Sequence, residues 1–138
     1  MANTDILAPM LALIGWTLLV LLLIPWRRFR AAFAGRVSAE DFRFGESPRV
    51  PPEVSLPNRN LQNLLEVPLL FYVLCLVGYL TRQIDLVALG LAWGYVGLRV
   101  LHSLVHLTYN RVFHRFLVFA ASNLLLAILW ARLLPALV

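Results

Sequence analysis

The sequence predicts an all-α integral membrane protein, a bundle of four membrane-crossing helices. Three observations predict it. Hydrophobic residues make up 61% of the 138 positions and charged residues only 14%. The mean hydropathy is +0.79. The apolar residues gather into four long runs separated by arginine-bearing segments. A water-soluble domain of this length could not bury so much apolar surface, so the bilayer must act as solvent. The formal charge is +5 and every basic residue is an arginine. Those arginines lie between the apolar runs rather than on one soluble face. They read as topology signals and anion-binding groups, not as a nucleic-acid surface. The single Cys75 excludes an intrachain disulfide and, in an apolar stretch, reads as an inert packing residue.

The spans are expected at about 6–26, 61–80, 86–108 and 112–131, within one domain covering 1–138. The first run carries no charge and is long enough for a hydrocarbon core of roughly 30 Å. No basic segment precedes it, and Pro25, Trp26, Arg27 and Arg28 follow it as an interfacial anchor rather than a cleavage site. The second run carries Glu66 and Pro68; the third is interrupted by Arg99, His102 and His106; the fourth enters with His114 and Arg115. Membrane β-strands are excluded, because the runs do not alternate and are about twice the length such strands need. The turns 81–85 and 109–111 are so short that spans two, three and four must run as antiparallel neighbours.

Arginine counts set the orientation. Arg27, Arg28, Arg30, Arg36, Arg43, Arg49 and Arg59 lie in the long segment 27–60, and Arg111 and Arg115 flank the third turn. The other side has only Arg82 and Arg132. The positive-inside rule therefore places the long loop in the cytoplasm and both termini outside it. Within that loop, 27–36 has no breaker and continues the first helix, with Phe29 and Phe33 on one face. Gly45, Ser47, Pro48, Pro51, Pro52 and Pro57 are then expected to forbid regular structure. Phe42 and Phe44 point to ordered packing of this loop rather than disorder.

Ionisable groups inside a span are costly and seldom face lipid, so they locate function. Arg59, Asn63 and Glu66 share one face of the second span; Arg99, His102, His106 and Asn110 form a stripe on the third, with Ser103 beside it. Gly90, Gly94 and Gly97 offer a small-residue surface on the opposite side of that helix, so protein is expected on both sides of it. Arg115 and Ser122 share a face of the fourth span, with Asn123 adjacent. Together these groups describe a basic, amide-lined cleft open to the cytoplasm. One reading is that Glu66 pairs with Arg99 and nothing binds. The other is that Arg59, Arg99, Arg111 and Arg115 outnumber Glu66, leaving positive charge suited to an anion with carboxylates. His102 and His106 lack a further Cys or His ligand from another span for a metal, and one helical face cannot hold a haem from both sides. Asp85 lies across the membrane from His102, which excludes a Ser–His–Asp hydrolase. The first span has no carboxylate of the kind that four-span multidrug exporters use.

Arg59-x-x-x-Asn63-x-x-Glu66 opening the second span, Arg99-x-x-His102 on the third and Arg115 opening the fourth resemble the MAPEG superfamily (membrane-associated proteins in eicosanoid and glutathione metabolism), in a bacterial-type member. The resemblance implies a homotrimer in a bacterial inner membrane, with glutathione sites between subunits facing the cytoplasm. Carried over by position, Arg59, Asn63, Glu66, Arg99 and His102 would hold the tripeptide. His106 falls where prostaglandin E synthases of the family have a tyrosine, and Arg111 adds a further basic contact. Arg115 falls on the arginine that stabilises the glutathione thiolate. Two positions depart from the pattern: Phe116 stands where those synthases have a serine, and Phe119 where they have a tyrosine. The chemistry is self-consistent, since glutathione carries two carboxylates and one ammonium, which arginines and Glu66 complement. A guanidinium near the thiol favours the nucleophilic thiolate. The expected function is a glutathione-dependent transferase or peroxidase acting on lipophilic electrophiles that enter from the bilayer. The alternative is a non-catalytic bundle that binds a lipid or a partner membrane protein through the same cleft.

Overall fold

The computed structural model describes residues 2–136. Met1, Leu137 and Val138, on which the outward placement of the two ends also bears, lie outside the described residues. Five α-helices carry the chain: α1 (Leu7–Phe33), α2 (Pro52–Leu65), α3 (Pro68–Thr81), α4 (Leu86–Leu107) and α5 (Val112–Leu133). Short 3-10 turns cover Asn3–Ile6, Ala39–Phe42 and Leu134–Ala136. No strand occurs among the described residues. With α2 and α3 counted as one crossing, four helices are long and apolar enough to span a membrane. This is an all-α, four-crossing membrane bundle.

α1 continues past the apolar run as expected but ends at Phe33, three residues short of the 27–36 extension, and Phe29 stacks on Phe33 with ring centroids 6.5 Å apart. It stops where Gly35 takes φ +70°, a left-handed conformation that costs glycine nothing. The amides of Arg36 and Gly35 then bond back to the carbonyls of Ala31 and Ala32, closing the helix end. The segment that follows is ordered around Asp41, which is buried and accepts from the Ser38 amide at 2.8 Å and the Ser47 hydroxyl at 2.9 Å. Those donors, the Ser38 amide first, and the nearby Arg49 guanidinium hold the Asp41 carboxyl below its usual range. Of the two loop aromatics, Phe42 packs on a small core of Ala31, Val37, Val50 and Val54, whereas Phe44 is 93% exposed.

The proline-rich stretch does not forbid regular structure throughout, because α2 starts at Pro52 and contains Pro57. Pro52 sits in the first turn, where an amide would have no partner anyway. Pro57 has no N–H to give to the carbonyl of Glu53, and Arg27 Nη1 takes that carbonyl instead at 2.8 Å. The second crossing then breaks at Glu66, whose φ −81° and ψ −94° leave the helix just ahead of Pro68. Pro68 has no N–H to bond back to the Leu64 carbonyl, and it opens α3 in the first turn, where no such bond is needed.

At the other end Asp85 caps α4, accepting from the Ala88 amide at 2.7 Å, and forms an ion pair with Arg132 of α5. These two contacts, the Ala88 amide first, hold the Asp85 carboxyl below its usual range. The main core joins Ile6, Leu13 and Val20 to Leu64, Phe71, Tyr95 and Leu129, while α4 and α5 lie against each other along most of their length. The expected glycine surface is split. A Cβ on Gly94 would stand 2.9 Å from Leu125 Cδ1 of α5, while one on Gly90 or Gly97 would meet nothing within 4 Å. Gly94→Leu is therefore expected to overpack the α4–α5 seam and cost about 1–3 kcal/mol. Thermal melting in detergent checks it: Gly97→Leu should melt like the wild type, and equal melting of Gly94→Leu would remove the seam argument.

Candidate functional site

The polar residues collect at the arginine-rich end of the bundle, where α2, α4 and α5 meet. Arg99 lies at the centre and is fully buried. The break before Pro68 frees the last carbonyls of α2, and Arg99 Nη2 donates to one of them, the Asn63 carbonyl, at 2.6 Å. Its Nε and Nη1 have no hydrogen-bond partner. The guanidinium carbon stands 5.4 Å from the centre of the Phe119 ring, a contact that offsets part of the cost of burying the charge.

His102 and His106 follow on the same face of α4, both buried, with ring centroids 6.0 Å apart and edge to face. Neither Nδ1 has a partner. Among the described residues no group of three His, Cys, Asp or Glu side chains converges as a metal site. Ser103 is also buried with an unpartnered hydroxyl. Asn60 was not singled out by the sequence reading. It is fully buried, and neither atom of its amide has a partner. Its spacing with Pro57 and Leu64, both buried, places it on the inward face of α2. That spacing was the available signal. Tyr95 was missed too; its ring stacks on Phe71 at 4.6 Å, and its hydroxyl is buried without a partner.

Arg115 opens α5 and is held from behind. Its Nη1 donates to Asn110 Oδ1 at 2.7 Å; Asn110 does not continue the α4 stripe as expected but lies in the turn after Leu107, with left-handed backbone, φ +51°. A cavity of about 260 Å³ lies in front, lined by Asn63, His102, Val112, Arg115, Phe116 and Phe119. Arg59 does not line it; Arg59 lines a neighbouring cavity of about 380 Å³ together with Asn110 and Ser55. The Arg115–Asn110 bond therefore joins the walls of the two cavities. Arg111 is exposed and makes no ion pair among the described residues. His106 stands behind His102 and does not line the Arg115 cavity.

Glu66 ends α2 with its amide still bonded to the Gln62 carbonyl, but it does not form the expected pair with Arg99. It is exposed and makes no ion pair with any described residue. The pairing that would have closed the site internally is absent: among the described residues no carboxylate forms an ion pair with Arg99. The acids that do pair, Glu40, Asp41, Glu46, Glu53 and Asp85, take up Arg43, Arg49, Arg28, Arg36 and Arg132. Arg59, Arg99, Arg111 and Arg115 are left without an acid at the arginine-rich end of the molecule, as are Arg27 and Arg30 of α1.

An apolar groove of about 610 Å³ runs along α3 and α5 from the next turn onward, lined by Val67, Leu70, Leu74, Leu126 and Trp130 with Asn123 among them. Asn63 and Phe119 of the smaller cavity lie one turn before Val67 and Asn123 of the groove, so the two share a seam. The chain matches no curated protein and no solved structure. The MAPEG family model matches residues 6–135, from the start of the first crossing to the end of the last and across every polar group described above. The chain belongs to the MAPEG family.

Proposed function

We propose that the protein is a glutathione-dependent transferase or peroxidase acting on lipophilic electrophiles, with Arg115 as the group nearest the reacting sulfur. The observation that carries this reading is Arg99, a fully buried guanidinium with two unpartnered nitrogens beside an arginine-bearing cavity. Buried charge without a partner is costly, and a carboxylate-bearing ligand would supply the partner. The residues fit glutathione in charge: Arg99 and Arg59 suit its two carboxylates, Asn63, His102 and His106 offer polar contacts, Arg111 adds to the positive field, and the unpaired Glu66 suits its ammonium. The cavity on one subunit, about 260 Å³, is small for such a ligand. This supports a homotrimer in which a neighbouring subunit completes the site, facing the cytoplasm from a bacterial inner membrane.

Bound glutathione supplies a thiol that reacts as its thiolate. The protein's part is to hold Arg115 towards it through Asn110, favouring the anion, and to keep Phe116 and Phe119 against the sulfur side of the cavity so that water is excluded. The α3–α5 groove gives an apolar electrophile a path from the bilayer along the same seam. Adding glutathione to the purified protein in detergent is expected to produce thiolate absorbance in the ultraviolet. Binding without that absorbance would leave the second reading, a non-catalytic bundle, which Phe116 and Phe119 favour because neither offers a hydroxyl to the sulfur.

Glu66→Gln separates binding from folding. The carboxylate is exposed and unpaired, so the melting temperature should stay unchanged. Glutathione affinity should fall about tenfold as a charge-assisted bond to the ammonium is lost. Calorimetric titration beside a melting curve tests both; a lower melting temperature would mean that Glu66 has a structural partner.

A further inference from the structure

A third arginine-lined cavity, of about 450 Å³, lies at the same end of the molecule between the end of α1, the start of α2 and the end of α4. Arg27, Arg30, Arg36 and Glu53 form its polar wall, and Trp26 and Leu107 belong to its apolar wall. It shares no lining residue with the Arg115 cavity. Glu53 is the one acid among the lining residues, and it is already engaged. Its carboxylate accepts from Arg36 at 2.6 Å, and its carbonyl accepts from Arg27 at 2.8 Å. The Arg30 side chain makes neither an ion pair nor a hydrogen bond among the described residues, and its guanidinium carbon rests 5.5 Å from the Trp26 ring centre. Three guanidiniums against one carboxylate leave two positive charges around a single concavity.

Its depth fits a membrane headgroup. The uncharged stretch from Leu7 to Trp26 measures roughly 30 Å at the helical rise, the thickness of the hydrocarbon core. Arg27 therefore stands at the start of the headgroup layer and Arg30 about one turn further out. Trp26, Phe29 and Phe33 are exposed at that level, as interfacial aromatics are. One turn inward, Leu22 and Leu104 are also exposed, so an apolar path leads from the cavity towards the bilayer.

We propose that this cavity binds the phosphate of an anionic phospholipid from the surrounding leaflet. Arg30, with Arg27 and Arg36, takes the phosphate oxygens, and Trp26 and Leu107 take the glycerol end of the acyl chains. A zwitterionic lipid is disfavoured, since its ammonium would enter a ring of guanidiniums whose single acid is occupied.

The test is native mass spectrometry of the full chain in neutral detergent, offered phosphatidylglycerol, phosphatidylcholine or soluble glycerol phosphate. One phosphatidylglycerol is expected to stay on each chain. Arg30→Gln should reduce its retention roughly tenfold, the loss of a charge-assisted contact, with little change in melting temperature, because the side chain makes no ion pair or hydrogen bond among the described residues and only rests over the exposed Trp26 ring. Arg43→Gln removes a charge at the same end of the molecule, bonded to Glu40 and outside the cavity, and should leave retention unchanged. Equal retention of phosphatidylcholine would overturn the proposal, as would an equal loss in Arg43→Gln. Displacement of the lipid by an equal concentration of glycerol phosphate would also overturn it, by marking the cavity as a site for free phosphate.

Discussion

Replacing Arg99 by methionine is expected to raise the stability of the ligand-free protein and to abolish glutathione binding. The two effects have one cause. Arg99 is completely buried, yet among the described residues its guanidinium makes a single hydrogen bond, to the Asn63 carbonyl, and no ion pair. Methionine fills similar space with no charge to desolvate, and such exchanges at buried ionic positions are stabilising by about 1–4 kcal/mol. The Asn63 carbonyl then loses its donor, which subtracts about 1–3 kcal/mol, so a rise at the lower end of the range is expected. Glutathione affinity should fall at least 100-fold, the effect of removing one partner from a buried charged contact. Lysine should not restore it, because one ammonium cannot serve the Asn63 carbonyl and a carboxylate in the guanidinium's fork geometry. Melting curves with and without glutathione measure both quantities at once. A methionine variant that melts lower and still binds would make Arg99 a structural residue.

Arg115→Ala should do the reverse, leaving folding and binding nearly intact while lowering turnover by about one to three powers of ten. Arg115 is only half-buried and its side chain is bonded to Asn110 alone among the described residues. Its loss strands no buried charge, and Asn110 can turn to water. The guanidinium matters once the sulfur is anionic, so the loss belongs to turnover rather than to the glutathione dissociation constant. Conjugation of a lipophilic electrophile, followed alongside glutathione titration, separates the two. Full turnover in a folded, glutathione-binding alanine variant would eliminate the role.

Much of the bundle is legible in the sequence, for a simple reason. Span length, the absence of charge and the extension of α1 through Phe29 and Phe33 are local properties of a helix in lipid. The polar stripe of Arg99, His102 and His106 was legible for the same reason, since helical spacing alone puts the three on one face. What sequence spacing could not show is where a second chemical group cancels a local rule. Pro57 is a helix breaker until Arg27, from another helix, takes the Glu53 carbonyl that it leaves free. Glu66 still bonds back to Gln62 at the end of α2, but the chain leaves the helix there and its carboxylate pairs with no described guanidinium. Gly94 and Gly97 look alike in sequence, yet only Gly94 has Leu125 in front of it. Asn60 is also local information, because its spacing with Pro57 and Leu64 places it on the inward face of α2.

The small core of Ala31, Val37, Val50 and Val54 has a different solvent from the rest of the molecule. It sits beyond Trp26, where the surroundings are water, so the ordinary hydrophobic effect holds it together. The crossings lack that force, because lipid tails are as apolar as the side chains they would leave. Cold and urea both weaken water-driven burial, and here they would act on the cap alone. Since α2 begins on that cap and carries Arg59 and Asn60, the chain can lose the roof of its arginine-rich end while every membrane crossing stays in place.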